Sequence, residues 1–216
     1  MNSRLIPLIV ILLFAATALL IQRNERRFTA DEGRLEVFED FANDTVVLRW
    51  SDPVMAPMGR RFEEAYDDYR DDVAVFVIEL DSPGGALAEG KRVIQLLDRM
   101  KRSHTLVTRV RPGDSCLSMC VPMFLKGDRR VAAPNSRFMF HEPASYDSYT
   151  GRRAREPEFE RRFVADRFFD RYFENSPMDA DWRRQLEREW VGKDVWKSGR
   201  DLVNERSGVL TELELR

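Results

Sequence analysis

The stretch that most constrains this chain is an almost continuous apolar run from Val73 to Leu80, halted by Asp81-Ser82-Pro83-Gly84-Gly85. A strand with one wet face alternates apolar and polar residues. A run like this one belongs inside a parallel sheet whose faces are covered by helices. The Pro-Gly-Gly turn stops it, and Leu87, Ile94 and Leu97 follow at helical spacing. Leu106 to Val110 then reads as the next strand and completes a strand-helix-strand unit. Such units wind right-handed and gather their loops at the carboxyl ends of the strands, where sites form in open α/β sheets. The fold class is therefore α/β.

The flanking segments agree. Leu35-Glu36-Val37-Phe38 and Thr45 to Trp50 are rich in β-branched and aromatic residues, with Asn43-Asp44 between them for a turn, so a hairpin or two successive strands is expected. Phe62, Tyr66 and Tyr69 recur at helical spacing and predict an amphipathic helix whose aromatic stripe is core. The chain's 216 residues suit one catalytic domain with a short appendage. With 35 basic against 37 acidic residues there is no general electrostatic pull toward nucleic acid. No metal motif, nucleotide loop or internal repeat is visible, and no cofactor or metal is expected.

Leu5 to Ile21 is uncharged and apolar, with Arg4 before it and Arg23, Arg26 and Arg27 after it. As a helix this segment is roughly 25 Å long, at the short end for a bilayer core of about 30 Å. The expected organisation is a tip at 1–4, a single-pass membrane anchor at 5–21, a linker at 22–32 and a catalytic domain at 33–216. A cleaved signal peptide is the rival, since Ala16-Thr17-Ala18 has a small-x-small pattern, although Leu19-Leu20-Ile21 would make an unusual mature terminus. Arginine counts near the helix favour a cytoplasmic domain, whereas simple N-terminal anchors often export theirs. The expectation leans to an extracytoplasmic, periplasmic domain.

Residues between Arg111 and Pro143 carry the chemistry. If Pro112 and Gly113 end a strand and Ser118 begins a helix, the serine hydroxyl lies among free backbone N–H groups at the positive end of a helix dipole. A capping or packing serine is the ordinary alternative. The chain has two histidines. His104, beside Arg102 and Ser103, is expected to be a solvated surface side chain. His141 ends the strand-like Phe138-Met139-Phe140 and precedes Glu142-Pro143, so its ring sits at a strand terminus. An imidazole there can take a proton from a serine hydroxyl and return it to a leaving group.

Asp81 to Gly85, Ser118-Met119, and Arg130 through Pro143 resemble the Clp-protease proteolytic subunit and its relatives in the ClpP/crotonase superfamily. The likeness runs from about Thr45 to Val209. It is strongest in Ser-Met followed by Pro134-Asn135-Ser136-Arg137-x-Met139-x-His141-x-Pro143. It implies a spiral of ββα units, Ser118 as nucleophile, His141 as general base, and an oxyanion hole from the backbone N–H groups of Gly85 and Met119. Lys193-Asp194-Val195-Trp196-Lys197-Ser198 resembles the family's Asp-x-aromatic-x-Ser/Thr segment and implies Asp194 as third member. Asp181 or Glu142 could instead orient the histidine, and Asp194 could be a helix cap. Membrane-bound relatives with a similar Ser-Pro-Gly-Gly turn use a serine-lysine dyad. Here lysines stand only at 91, 101, 126, 193 and 197, none of them in the helical stretch after His141, so a histidine base is preferred.

The chain departs from the family pattern where Cys120 replaces a glycine. Cys116 and Cys120 bracket the serine, and as neighbours on a helix they would be poorly directed for bridging. Two buried thiols are therefore expected. Export would favour a disulfide, which would stiffen the nucleophile turn. The polar segment from Ala144 to Pro157 is expected as a rim loop. Phe159 to Asn175 and Asp179 to Trp190 are expected as helices of an arm at about 158–190, and Gly199 to Arg206 as a last short helix. The arm's aromatic surface, and the family's use of it between subunits, predict a homo-oligomer. The expected activity is hydrolysis of peptide or other acyl bonds through an acyl-enzyme. The alternatives are an inactive membrane scaffold or a crotonase-like binder of acyl thioesters.

Overall fold

The central apolar run is a strand with parallel neighbours on both sides in the computed structural model, which describes residues 35–144 and 157–215. In chain order, β1 (Leu35–Asp40) and β2 (Thr45–Trp50) form the expected hairpin around Asp44 at φ +48°. Helix α1 (Met58–Tyr69), strand β3 (Val75–Leu80), helix α2 (Leu87–Met100) and strand β4 (Thr105–Val110) follow as expected. Next come β5 (Ser115–Leu117), α3 (Cys120–Phe124), β6 (Arg129–Ala132) and β7 (Arg137–Phe140). Helices α4 (Glu158–Phe169) and α5 (Ala180–Glu189), strand β8 (Val195–Ser198), helix α6 (Gly199–Asn204) and strand β9 (Glu212–Leu213) complete the chain. Six strands form one sheet in the order β1-β2-β3-β4-β6-β9, and β5-β7-β8 form a second, smaller one.

One face of the large sheet is apolar at every second position. Val46, Leu48 and Trp50 on β2 and Phe76, Ile78 and Leu80 on β3 are buried in one core with Met58 and Phe62 of α1 and Val93 and Leu97 of α2. Each such side chain contributes about 1.5–3 kcal/mol by burial. On the other face β3 carries Glu79, only 3% exposed, in register with Arg49 of β2 and Arg109 of β4. Arg49 Nε donates to Glu79 at 2.7 Å and Arg109 Nη1 at 3.0 Å. This pairing is what lets a carboxylate sit in mid-strand. Arg109 also bonds Glu214, which together with Glu79 holds its guanidinium pKa above the ordinary value.

His104 is a correction. Its ring is half-buried, edge-on to Tyr66 and Phe76 with centroids 5.5 and 5.0 Å away. Nε2 lies 2.8 Å from the Arg70 carbonyl, which can only accept, so Nε2 carries a proton, and Nδ1 lies 2.9 Å from Ser103 Oγ. The ring pins the end of α1 to the start of β4.

The arm is also more broken than expected. After Phe169 the chain forms a π-helical turn, Asp170–Glu174, instead of continuing as α-helix. That turn faces Phe173 into a cluster with Phe140, Phe168, Phe169 and Trp190 at centroid distances of 5.3–6.2 Å. Phe159 and Phe163 stay outside, 72% and 60% exposed. Helix α6 opens with a capping box between Ser198 and Asp201. The Ser198 hydroxyl and amide hold the Asp201 carboxyl below its usual pKa. The cap is therefore in force above the ordinary carboxylate range and is lost as pH falls through the depressed folded value. The expected anchor at 5–21, the linker and residues 145–156 of the rim loop lie outside the described residues. Among the described residues no helix is long and apolar enough to cross a membrane.

Candidate active site

Ser118 does not begin a helix. It is the corner between two elements, the short strand β5 and the helix α3, which starts two residues later. Strand β5 is stitched on one side to the glycine turn: Ser82 N–H donates to Ser115 O at 2.7 Å and Leu117 N–H to Ser82 O at 3.0 Å. Its other side pairs with β7. Ser118 N–H donates to Met139 O at 2.8 Å, and the serine has φ +54°. A non-glycine residue there costs about 1–2 kcal/mol and is kept only where neighbours over-determine it. With α3 a single five-residue turn, the expected dipole contribution gives way to individual amides.

Strand β7 delivers His141 two residues beyond Met139. His141 Nε2 lies 2.7 Å from Ser118 Oγ, a hydrogen-bond distance, with the ring half-buried. The antiparallel register of β7 with β8 pairs Phe140 with Val195, so the next position outward sets Asp194 opposite His141. Asp194 Oδ1 is 4.0 Å from His141 Nδ1, and its side chain is 55% exposed. That is an aligned carboxylate short of a hydrogen bond. The other two candidate carboxylates point elsewhere. Asp181 is 85% exposed and pairs with Arg184, and the buried Glu142 accepts from Gly192 N–H at 3.0 Å.

Beside the serine, the glycine turn closes the site. Val54 forms a parallel bridge with Gly85, using Gly84 O and Ala86 N–H on either side, so the Gly85 N–H points out of the ladder. Among the described residues neither Gly85 N–H nor Met119 N–H donates to a protein acceptor. Gly84, to which the sequence reading gave no role, makes the closest approach. A Cβ built on it would lie 2.5 Å from Leu117 O and 2.6 Å from Ser118 Cβ. Its place as the first of two glycines in the turn was the available signal.

No family model matches the sequence. The ATP-dependent Clp protease proteolytic subunit of Pleurastrum terricola is 38% identical over 80 residues, which is 36% of this chain and 39% of that protein. The chain thus matches about two-fifths of that relative's length. Among solved structures, an asparagine-to-aspartate mutant of ClpP1 from Listeria monocytogenes superimposes with a TM-score of 0.60 at 16% identity, over 82% of this chain and 94% of that one. A serine-to-alanine mutant of the membrane-bound stomatin-specific protease 1510-N gives 0.63 at 16% identity over 79% of each chain. A lysine-to-alanine mutant of the same protease, in complex with a substrate peptide, gives 0.62 at 17% identity over 79% of this chain and 74% of that one. The fold is that of the ClpP-like superfamily.

On this ClpP-like frame the cysteines depart from expectation. Cys116 and Cys120 form a disulfide with Cα atoms 5.2 Å apart, and both are fully buried. The expectation of two thiols assumed both residues on one helix. In fact Cys116 lies within strand β5 and Cys120 opens helix α3, and the reversal at Ser118 turns their side chains toward each other. The bridge encloses only Leu117, Ser118 and Met119. Cys116→Ala/Cys120→Ala is expected to cost about 2 kcal/mol through lost closure of this short loop. It should also slow modification of Ser118 several-fold as the corner relaxes. A thermal melt and a labelling time course on the same preparation check both.

Proposed function

We propose that this chain is a serine peptidase acting through an acyl-enzyme, with Ser118 as nucleophile, His141 as base and Asp194 as the carboxylate that orients the base. The observation that carries the reading is the 2.7 Å separation of His141 Nε2 and Ser118 Oγ, each one residue past the end of a strand, β7 and β5, whose parallel register holds them together. In this reading Nε2 accepts the hydroxyl proton as Oγ bonds to the scissile carbonyl carbon. The oxyanion formed then faces the N–H groups of Gly85 and Met119. The imidazolium returns the proton to the leaving amine, and a water molecule repeats the sequence to release the acid and restore Ser118. Each amide donor in such a hole is worth about 10²- to 10³-fold in turnover. Asp194 needs only a small approach to accept from Nδ1, and its exposed side chain is free to make it.

The stomatin-specific protease was solved with a substrate peptide, which supports a peptide or protein as substrate here. No lysine hydrogen-bonds Ser118 among the described residues, which supports the histidine base over a lysine. The apolar segment 5–21 is proposed as a membrane anchor. The buried Cys116–Cys120 bridge favours an oxidising, extracytoplasmic location for the domain. Exposed Phe159 and Phe163 on α4 are proposed as part of a contact between copies of the chain.

The test is labelling of the full chain with a fluorophosphonate probe. A single adduct on Ser118, absent from Ser118→Ala, is the expected result. A folded protein that takes up no probe would leave an inert ClpP-like scaffold or an acyl-thioester binder.

A further inference from the structure

Glu142 is the residue next to His141, yet its carboxylate is 3% exposed and turned away from the imidazole. A buried carboxylate without partners is costly. Its partners here connect it to the rest of the site. Oε2 accepts from Gly192 N–H at 3.0 Å and lies 3.6 Å from Nε of Arg161 on α4, a buried nitrogen with no hydrogen bond of its own. Gly192 is the apex of the turn that leaves α5 and enters β8. It has φ +71°, and Lys193 N–H closes the turn onto Trp190 O at 3.2 Å. Trp190 is locked in the aromatic cluster against Phe169 and Phe173. Two residues past Gly192 stands Asp194, at the frayed outer end of the β7–β8 ladder, where no strand pairing holds it.

Among the described residues Asp194 is therefore held by the first pair of β8 on one side and, on the other, by the turn that the Lys193-to-Trp190 and Glu142-to-Gly192 bonds fix, of which only the second reaches across to the His141 strand. We propose that Glu142 is a positioning residue whose buried carboxylate fixes the turn at 190–194 and thereby the distance between Asp194 and His141. The residue following the base thus holds the loop that brings the base its carboxylate, and Arg161 ties the same carboxylate to the arm. This inference rests on the triad proposed above.

The test uses second-order labelling of Ser118 in the full chain by a fluorophosphonate, with melting curves to confirm folding. Asp194→Ala sets the reference, an expected loss of about tenfold. Glu142→Gln keeps an acceptor of the same length for Gly192 N–H and should label within about threefold of the parent. Glu142→Asp keeps the charge but is one methylene too short, and should fall as far as Asp194→Ala. Combining Glu142→Asp with Asp194→Ala should add nothing, because both act through one carboxylate. The proposal is overturned if Glu142→Asp labels normally while Glu142→Gln is slow, or if the losses multiply in the double variant. Should Asp194→Ala itself label at the parental rate, the third member of the triad falls and the positioning role with it. A slow Asp194→Ala beside a parental Glu142→Asp removes the positioning role alone.

Discussion

His141→Ala is expected to slow fluorophosphonate acylation of Ser118 by roughly 10²- to 10⁴-fold, the range that a positioned general base supplies. The melting temperature should stay within a few degrees of the parent. The asymmetry follows from where the ring sits. His141 lies beyond the last paired residue of β7, and the ladder bonds that hold the strand are made by backbone atoms up to Phe140. The ring is half-buried and outside the apolar core, so its removal opens no large cavity. What is lost is the acceptor 2.7 Å from Ser118 Oγ. Asp194→Ala should cost much less, because its carboxylate is exposed and 4.0 Å from Nδ1. A buried, hydrogen-bonded triad aspartate is worth roughly 10⁴-fold. An acylation rate for His141→Ala equal to that of Ser118 in the parent would remove the general base from the scheme.

How much of this was legible depended on the length of the signal. Strands β2, β3 and β4 and helices α1 and α2 announce themselves because each is six or more residues long, enough for an apolar run or a helical spacing to show, and packing enforces what the pattern suggests. Strand β5 has three residues, and two of them, Ser115 and Cys116, carry no strand preference strong enough to read. Its existence is decided by partners far away in sequence, Ser82 on one side and Arg137 to Met139 on the other. Missing it displaced the helix start to Ser118 and made the cysteines look like helix neighbours. Strands β6, β8 and β9, of four, four and two residues, are too short to be read for the same reason. Ser118, His141 and Asp194 were readable as a resemblance of motifs. The geometry that relates them, however, is a matter of register, which no local pattern encodes. Glu142 was weighed only as a rival for Asp194, because nothing in His-Glu-Pro says which way a carboxylate turns.

The glycine turn gives the second large effect. Gly84→Ala is expected to destabilise the domain by about 2–5 kcal/mol and to cut acylation of Ser118 by roughly 10²- to 10³-fold. Gly84 has φ +86°, which an L-residue adopts only with strain. Its new methyl group would lie 2.5 Å from Leu117 O and 2.6 Å from Ser118 Cβ. Neither can yield alone. Leu117 N–H is bonded to Ser82 O, Ser118 N–H to Met139 O, and the disulfide closes both residues, with Met119, into one short loop. The strain must therefore be relieved by moving the glycine turn and the serine corner apart, which in the proposed mechanism separates the Gly85 amide from the carbon that Ser118 would attack. Gly113→Ala is the matching control, since Gly113 has nearly the same φ, +83°, with nothing within 4 Å of its Cβ position. It should bear the backbone penalty of about 1–2 kcal/mol and label normally. Equal labelling of the two alanine variants would mean that contact between the glycine turn and Ser118 plays no part in acylation.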